Sequence, residues 1–234
     1  MATFVLVHGG WSGAHGFRAV RPLLRDAGHE VFTPSLTGVG ERAHLTSPSV
    51  NLTTHIRDVV NVVLYEDLDD ITLLGFSYGG MVVTGTLDHI ADRVRHLVYL
   101  DAFVPANSDT VAGLAGLGAI PIITLDADWL VPPPPREFDE PNEAAWQNER
   151  RTSHPLGCFT EAVHLAQPLE HFPFTRTYIK ATAEKPGAPG SDAFCSAAEM
   201  AKASPAWRYR EIATSHMVAS NRPTDLAQLL LEFD

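Results

Sequence analysis

The stretch that decides the fold of this chain is residues 71–80, which read Ile-Thr-Leu-Leu-Gly-Phe-Ser-Tyr-Gly-Gly. A continuous apolar run followed by the pattern G-x-S-x-G is typical of a buried strand that turns sharply into a helix. The turn strains the backbone at the central serine, and glycines two residues to either side avoid collisions with the neighbouring strand and helix. Ser77 is therefore predicted to present its hydroxyl at the carboxyl end of a sheet, as a nucleophile.

Strands and helices alternate along the chain on both sides of this turn. Apolar residues recur at spacings of three and four between Ile56 and Leu64, which predicts an amphipathic helix. Such alternation is typical of βαβ units, so we predict an α/β fold with a mostly parallel, doubly wound sheet of about six strands. The predicted strands are residues 4–7, 30–33, 71–74, 96–100, 176–181 and 207–212.

One long segment interrupts the alternation. Residues 104–175 are rich in proline, glycine and aromatic residues and include the run Pro132–Pro135, which neither a helix interior nor a central strand accepts. The strand and helix pattern resumes after this segment. We therefore expect one α/β domain over residues 1–234, with residues 104–175 inserted as a cap over the serine.

Composition and charge exclude several functions. The 234 residues are 45% hydrophobic with a net charge of −11, which favours one globular domain and disfavours nucleic acid as a partner. No apolar run reaches 18 residues, so no membrane is expected. The first residues contain no basic segment or cleavage site, which predicts the cytoplasm. Cys158 and Cys195 lack metal-ligand spacing, so no metal and no cofactor are expected.

Five motifs together resemble the α/β-hydrolase superfamily. Within it, the sequence is similar to the compact subgroup of plant methylesterases, hydroxynitrile lyases and bacterial pyrethroid-type carboxylesterases. The resemblance covers nearly the whole chain. The motifs are residues 4–9 (FVLVHG), 36–42 (LTGVGER), 75–80 (GFSYGG), 100–105 (LDAFVP) and 214–217 (TSHM).

A serine nucleophile needs backbone donors for the negative charge that develops on the carbonyl oxygen. The N–H of Tyr78, directly after the serine, is one candidate, and the loop that follows the first strand should supply the other. The resemblance implies that this second donor is the N–H of Gly10. His8, in the same loop, is expected to brace it.

The base must be selected among eleven histidines. In this superfamily the order along the chain is serine, acid, histidine. His216 follows the last predicted strand and precedes the final helix, so it should lie at the same sheet edge as Ser77. We predict that His216 accepts the serine proton and returns it to the leaving group.

The acid of the triad is the least determined member. Glu184 follows the predicted strand that ends near Ala181, where the family usually has its acid, and is the first choice. Asp101 and Asp192 stay open as alternatives. Asp101 ends the strand after the nucleophile helix, and Asp192 lies eight residues beyond Glu184.

These residues predict a serine esterase that cleaves a carboxylic ester or lactone of a hydrophobic, aromatic or polyketide-like small molecule through an acyl-enzyme. Trp11, Trp129 and Phe159 are expected to bind the substrate. The sequence does not determine the oligomeric state, and a homodimer is compatible with it. A hydroxynitrile lyase is one alternative, but those relatives carry Thr and Lys where this chain has Gly9 and Met217. A non-hydrolytic biosynthetic enzyme or a ligand receptor on the same scaffold is another.

Overall fold

The computed structural model describes residues 1–116, 128–183 and 190–233. Its main sheet has six parallel strands in the order β2-β1-β3-β4-β7-β8, and β5 and β6 form a separate antiparallel pair. The predicted fold class and sheet are thereby confirmed. The strands are β1 (Thr3–Val7), β2 (Glu30–Phe32), β3 (Ile71–Phe76), β4 (Val94–Leu100), β5 (Leu130–Val131), β6 (His154–Pro155), β7 (Thr175–Ala181) and β8 (Arg208–Ile212).

Helices cover both faces of the main sheet. In the described ranges they are α1 (Val20–Asp26), α2 (Leu52–Tyr65), α3 (Gly79–Ile90), α4 (Val111–Leu114), α5 (Pro141–Asn148), α6 (Gly157–Thr160), α7 (Ser191–Ala203), α8 (Val218–Asn221) and α9 (Pro223–Leu231). Short 3₁₀ helices add Ala14–Phe17, Gly40–Leu45, Ala91–Arg93 and Leu169–His171. Among these residues, no helix is both long enough and apolar enough to cross a membrane.

Strands β1 and β3 are almost entirely apolar because each face of the sheet has its own core. In β1, Val5 and Val7 belong to the core that includes residues of α2, α3 and α7, whereas Phe4 and Leu6 belong to the core that includes residues of α1 and α9. Successive side chains of a strand point to opposite faces, so a strand covered on both sides needs apolar residues at every position.

Short elements fill the described part of the chain between β4 and β7. They comprise α4, α5 and α6 and the β5–β6 pair, in which Val131 lies opposite His154. Several bonds tie this segment to the first half of the chain. The indole Nε1 of Trp11 donates to the carbonyl of Val131 at 2.8 Å, and the N–H of Thr152 donates to the carbonyl of Trp11 at 3.1 Å.

The glycines of the serine motif lie where backbones approach closely. A Cβ on Gly75 would lie 2.6 Å from the carbonyl oxygen of Gly79, and a Cβ on Gly79 would lie 2.7 Å from that of Val7. Real Cβ atoms essentially never show such contacts with backbone, so strand, turn and helix meet only without side chains here. The collisions expected from the sequence are confirmed.

Replacing Gly79 with alanine should therefore lower the free energy of unfolding by about 2 kcal/mol, because the backbone of β1 would have to shift. Gly16→Ala is the matched control, since the nearest neighbour of its Cβ would be the movable hydroxyl of Ser12 at 3.2 Å. Urea unfolding of both variants measures the difference. Equal stability of the two variants would contradict this account of the turn.

Candidate active site

Ser77 lies directly after β3 in a strained backbone conformation. Its φ is +55°, a region that residues with side chains rarely occupy. Its N–H donates to the carbonyl of Leu100 at 3.2 Å, and its own carbonyl accepts from the N–H groups of Gly80 and Phe103. The turn is thus bonded to β4 on one side and to α3 on the other, which holds the serine hydroxyl in place.

His216 lies beside this hydroxyl, as the sequence predicts. Its Nε2 is 3.0 Å from the Oγ of Ser77, although the two residues are 139 positions apart in the chain. The imidazole is buried between two aromatic rings. It stacks on Phe194 with ring centroids 4.9 Å apart and contacts Phe76 at 4.8 Å. This packing restricts the ring to an orientation in which it can exchange a proton with the serine.

Asp101 is hydrogen-bonded to the other nitrogen of this imidazole. Its Oδ2 lies 2.7 Å from Nδ1 of His216, and its side chain is fully buried. Glu184, the expected acid, lies outside the described residues, and Asp192 is exposed in the first turn of α7. The geometry therefore puts Asp101 in the place expected for Glu184, because the acid must bond Nδ1 to orient the ring.

The second carboxylate oxygen of Asp101 is also bonded. Oδ1 accepts from the ammonium of Lys180 at 2.6 Å and from the N–H of Ala181 at 3.3 Å. Burial raises the pKa of Asp101, but the hydrogen bond and charge of His216 and the charge of Lys180 outweigh that effect and hold the pKa below its usual 3.8. An ionised Asp101 favours the proton on Nδ1 of His216, which leaves Nε2 able to accept from Ser77.

The two expected oxyanion donors come from adjacent segments. A Cβ on Gly10 would lie 3.6 Å from the Cβ of Tyr78, so the loop after β1 and the turn after β3 are in contact. The N–H of Trp11 donates instead to Nδ1 of His154 at 3.1 Å. The neighbouring loop amide is thus engaged elsewhere, which is consistent with the assignment to Gly10.

Buried histidines hold this loop and turn. In His8, Nδ1 donates to the carbonyl of Gly9 at 2.9 Å and Nε2 accepts from the N–H of Leu36 at 3.1 Å. His8 thus braces the loop, as expected. In His55, Nε2 donates to the carbonyl of Thr37 at 2.7 Å and Nδ1 accepts from the hydroxyl of Tyr78 at 3.0 Å. No sequence pattern indicated His55, because its partners lie on separate segments.

One group of side chains in the described ranges is compact enough to be considered for a metal ion. The ligand atoms of His55, His154 and Cys158 lie within 4.8 Å of one another, and all three residues are buried. Three of the four imidazole nitrogens are already used in hydrogen bonds to Thr37, Tyr78 and Trp11. Through these hydrogen bonds, His55 and His154 support the loop that follows β1 and the turn at Ser77.

A small cavity of about 20 Å³ opens onto the serine. Of the three expected substrate-binding aromatics, Trp11 is among its described lining residues, and Trp129 and Phe159 are not. Phe159 is buried and stacks on His154, with ring centroids 4.6 Å apart. Sequence reasoning missed Arg136, Gln147 and Arg151, which lie in the inserted segment. The lining residues are Gly9, Gly10, Trp11, Ser12, Phe76, Ser77, Arg136, Gln147, Arg151, His216 and Met217.

Burial of the histidines predicts a loss of stability in mild acid. Burial lowers the pKa of His8 and of His55 from 6.5 to about 4 and holds that of His154 well below 6.5. Between pH 6.5 and pH 4 the unfolded chain binds these protons and the folded chain does not, so stability falls as the pH falls through this window. From pH 7.5 to pH 5, His8 and His55 should each cost about 2 kcal/mol.

Urea unfolding at both pH values tests this expectation. His8→Asn should reduce the pH-dependent loss by the share of one histidine, whatever it does to absolute stability. His44→Asn, at an exposed position, should leave the loss unchanged. A His8→Asn protein with the same pH dependence as the parent would show that His8 does not stay neutral in the fold.

Comparisons with known proteins agree with this geometry. A carbendazim hydrolyzing esterase from Nocardioides sp. (strain SG-4G) is 38% identical over 98% of both chains. A pyrethroid hydrolase from Sphingobium wenxiniae is 34% identical over 45% of this chain and 38% of its own length. Among solved structures, a methylesterase from Arabidopsis superposes with a TM-score of 0.78 at 22% identity, over 99% of this chain and 98% of that one. The last similarity bears on the fold alone.

A family model matches almost the entire chain. It is the model of the alpha/beta hydrolase family, and it aligns with residues 4–229. That range contains the strained serine, the histidine and aspartate bonded in line with it, and the six-stranded parallel sheet. The chain therefore belongs to the alpha/beta hydrolase family.

Proposed function

We propose that this protein hydrolyses a carboxylic ester or lactone of a hydrophobic, aromatic or polyketide-like small molecule through an acyl-enzyme on Ser77. One observation carries the proposal, namely the continuous line of hydrogen bonds from Ser77 through His216 to Asp101. The names of two relatives, a carbendazim hydrolyzing esterase and a pyrethroid hydrolase, point to the same class of reaction.

In the first half of the reaction, Ser77 attacks the carbonyl carbon of the ester. Nε2 of His216 takes the hydroxyl proton as the Oγ–carbon bond forms, and the N–H groups of Gly10 and Tyr78 hold the resulting oxyanion. When the carbon–oxygen bond to the alcohol breaks, His216 returns that proton to the leaving oxygen. The acyl group is then bonded to Ser77 as an ester.

In the second half, water replaces the alcohol. Nε2 of His216 takes a proton from water as the water oxygen bonds to the acyl carbon, and the same two amides hold the second oxyanion. His216 then returns the proton to Oγ of Ser77 as the acid leaves. Asp101 stays ionised throughout and stabilises the protonated imidazole.

Residues 104–175 supply the cap in this proposal. The described part of this segment is bonded through Trp11 to the loop that follows β1, residues 8–13, which is the oxyanion loop of this proposal. Trp11 donates to Val131 and accepts from Thr152. A substrate therefore has to pass between the cap and the sheet edge to reach Ser77. Trp11, which lines the cavity, is the aromatic residue best placed to contact it, whereas roles for Trp129 and Phe159 stay predictions. A homodimer and a location in the cytoplasm stay predictions as well.

The space around Gly9 supports hydrolysis over the lyase alternative. A Cβ at this position would lie 3.0 Å from the Cβ of Ser77 and 3.0 Å from the ring of Phe76. The threonine expected there in a hydroxynitrile lyase would require the turn to shift. Met217, in place of the expected lysine, likewise leaves that position without a cation next to the catalytic histidine.

The direct test is hydrolysis of p-nitrophenyl acetate together with labelling by a fluorophosphonate. Ser77→Ala should abolish labelling, and Ser77→Ala and His216→Ala should each lower kcat by several orders of magnitude, because the two residues act as a unit. Asp101→Ala should lower kcat by about 10⁴-fold. Asp192→Ala and Glu184→Ala serve as matched carboxylate controls and should retain near-parental rates. Full labelling of the Ser77→Ala protein would refute the mechanism, and loss of activity in Glu184→Ala alone would refute the assignment of Asp101.

Lys180 is a positioning residue in this mechanism, since it touches Asp101 and not the reacting atoms. Its positive charge disfavours a second positive charge on the nearby imidazole. Lys180→Met should therefore move the acid limb of the kcat/KM profile to higher pH by about half a unit to one unit. Lys202→Met is the control, because Lys202 is exposed and its partner Glu211 lies at the surface. A uniform loss of rate with an unmoved profile would indicate a purely structural role for Lys180.

A further inference from the structure

We propose that Arg151, assisted by Arg136, forms an anion-binding subsite beside Ser77, and that the preferred substrates are esters carrying a second, acidic group such as a carboxylate. This inference rests on the proposed esterase function and narrows its substrate class. Both arginines line the same small cavity as Ser77 and His216. An acidic group at the arginines and an ester at the serine can therefore belong to one small molecule.

The backbone that carries Arg151 is held against the oxyanion loop. The next residue, Thr152, donates its N–H to the carbonyl of Trp11 at 3.1 Å, and its hydroxyl accepts from the N–H of Gly40 at 2.8 Å. On the other side of the cavity, the amide of Gln147 is bonded to Ser220 at 3.1 Å. The base of the Arg151 side chain is thus fixed relative to the catalytic groups.

Arg151 has no protein partner among the residues of the three described ranges. Its side chain is partly buried, yet no hydrogen bond or ion pair joins its guanidinium to any of them. The neighbouring Arg150 provides a contrast. Arg150 is exposed, stacks on the ring of Trp146 at 4.1 Å and donates to the carbonyl of Trp146 at 2.8 Å. A partly buried guanidinium has five N–H donors to satisfy, and an anion in the cavity would satisfy several of them at once.

The charges around the cavity favour an anion as the ligand. Burial, and to a smaller extent the positive charge of Arg136, lower the pKa of Arg151 to about 10, so the two cations lie close enough to repel each other. Arg151 still carries its charge at neutral pH. An anion bound at Arg151 would offset both the desolvation of its guanidinium and the repulsion from Arg136. The protein as a whole carries a net charge of −11, so this pair of positive charges is opposite in sign to the net charge of the molecule.

Guanidinium geometry indicates the chemical class of the ligand. Arginine presents a planar pair of donors that matches the two oxygens of a carboxylate. The acidic group can belong to the acyl part or to the alcohol part of the ester. An aromatic body between the ester and the carboxylate would be compatible with the indole of Trp11 at the same cavity.

Paired esters that differ only in charge test the subsite. The acyl side is compared with p-nitrophenyl monosuccinate against p-nitrophenyl butyrate, and the alcohol side with 4-acetoxybenzoate against its methyl ester. We expect Arg151→Gln to lower kcat/KM for at least one acidic ester 10-fold or more and to change that for its neutral partner less than 2-fold. Arg151→Lys should recover part of the loss. Arg150→Gln, the adjacent control, should change neither ratio. The preference for the acidic ester should also weaken as KCl is raised.

Two outcomes overturn the subsite: equal losses on acidic and neutral esters in the Arg151→Gln protein, or no preference for either acidic ester in the parent. A binding measurement separates this failure from failure of the proposed function. Calorimetry with 4-hydroxybenzoate on the Ser77→Ala protein should show binding that Arg151→Gln weakens 10-fold or more. Binding without any hydrolysis by the parent would refute the esterase and keep the subsite, whereas hydrolysis without this binding difference would refute the subsite and keep the esterase.

Discussion

The register of three neighbouring parallel strands is the constraint on which the site depends. The last paired residues of β3, β4 and β7 lie side by side in one row: Phe76, Leu100 and Ile179. The next residues along these strands are Ser77, Asp101 and Lys180, and backbone bonds from Ser77 to Leu100 and from Asp101 to Ile179 extend the row by one step. A shift of one residue in either pairing would separate Ser77, Asp101 and Lys180, because side chains would move to the opposite face.

Backbone strain accompanies this arrangement at three positions. Trp11, Ser77 and Asp101 all have positive φ, and all three follow strands at the same edge of the sheet. Each such residue costs about 1–3 kcal/mol and persists only where its surroundings hold it. Here the surroundings are two apolar cores, one on each face of the sheet, together with the buried histidines behind the oxyanion loop. The stability of the scaffold therefore maintains a geometry that the local sequence would not adopt alone.

The site contains buried neutral imidazoles and two buried or partly buried charges. The charge of Asp101 is compensated by neighbouring groups, and that of Arg151 is not compensated within the described chain. His8, His55 and His154 stay neutral because burial disfavours their charged forms, and they position the loop and turn through hydrogen bonds. Asp101 is buried as an ion, which is tolerated because Lys180 and His216 both contact it. Arg151 is partly buried without such a partner in the described chain. Asp101 is thus bound by groups of the protein itself, whereas Arg151 is the group that we propose binds a ligand.

The sequence alone determined the sheet and pointed to Ser77 and His216, which the structure brings within hydrogen-bond distance of each other. Each of these depends on local signals: apolar runs for the strands, the glycine spacing around Ser77, and the place of His216 after the last strand. The acidic partner of His216 could not be predicted from local signals of this kind. Glu184 and Asp101 both follow strands, and only the strand order, with β4 between β3 and β7, places Asp101 against the imidazole. The arginines of the cavity were missed for the same reason, since the inserted segment has no periodicity that shows which of its side chains face the serine. Hydrogen bonds between residues far apart in the chain depend on strand order and loop path, and these are decided by tertiary packing.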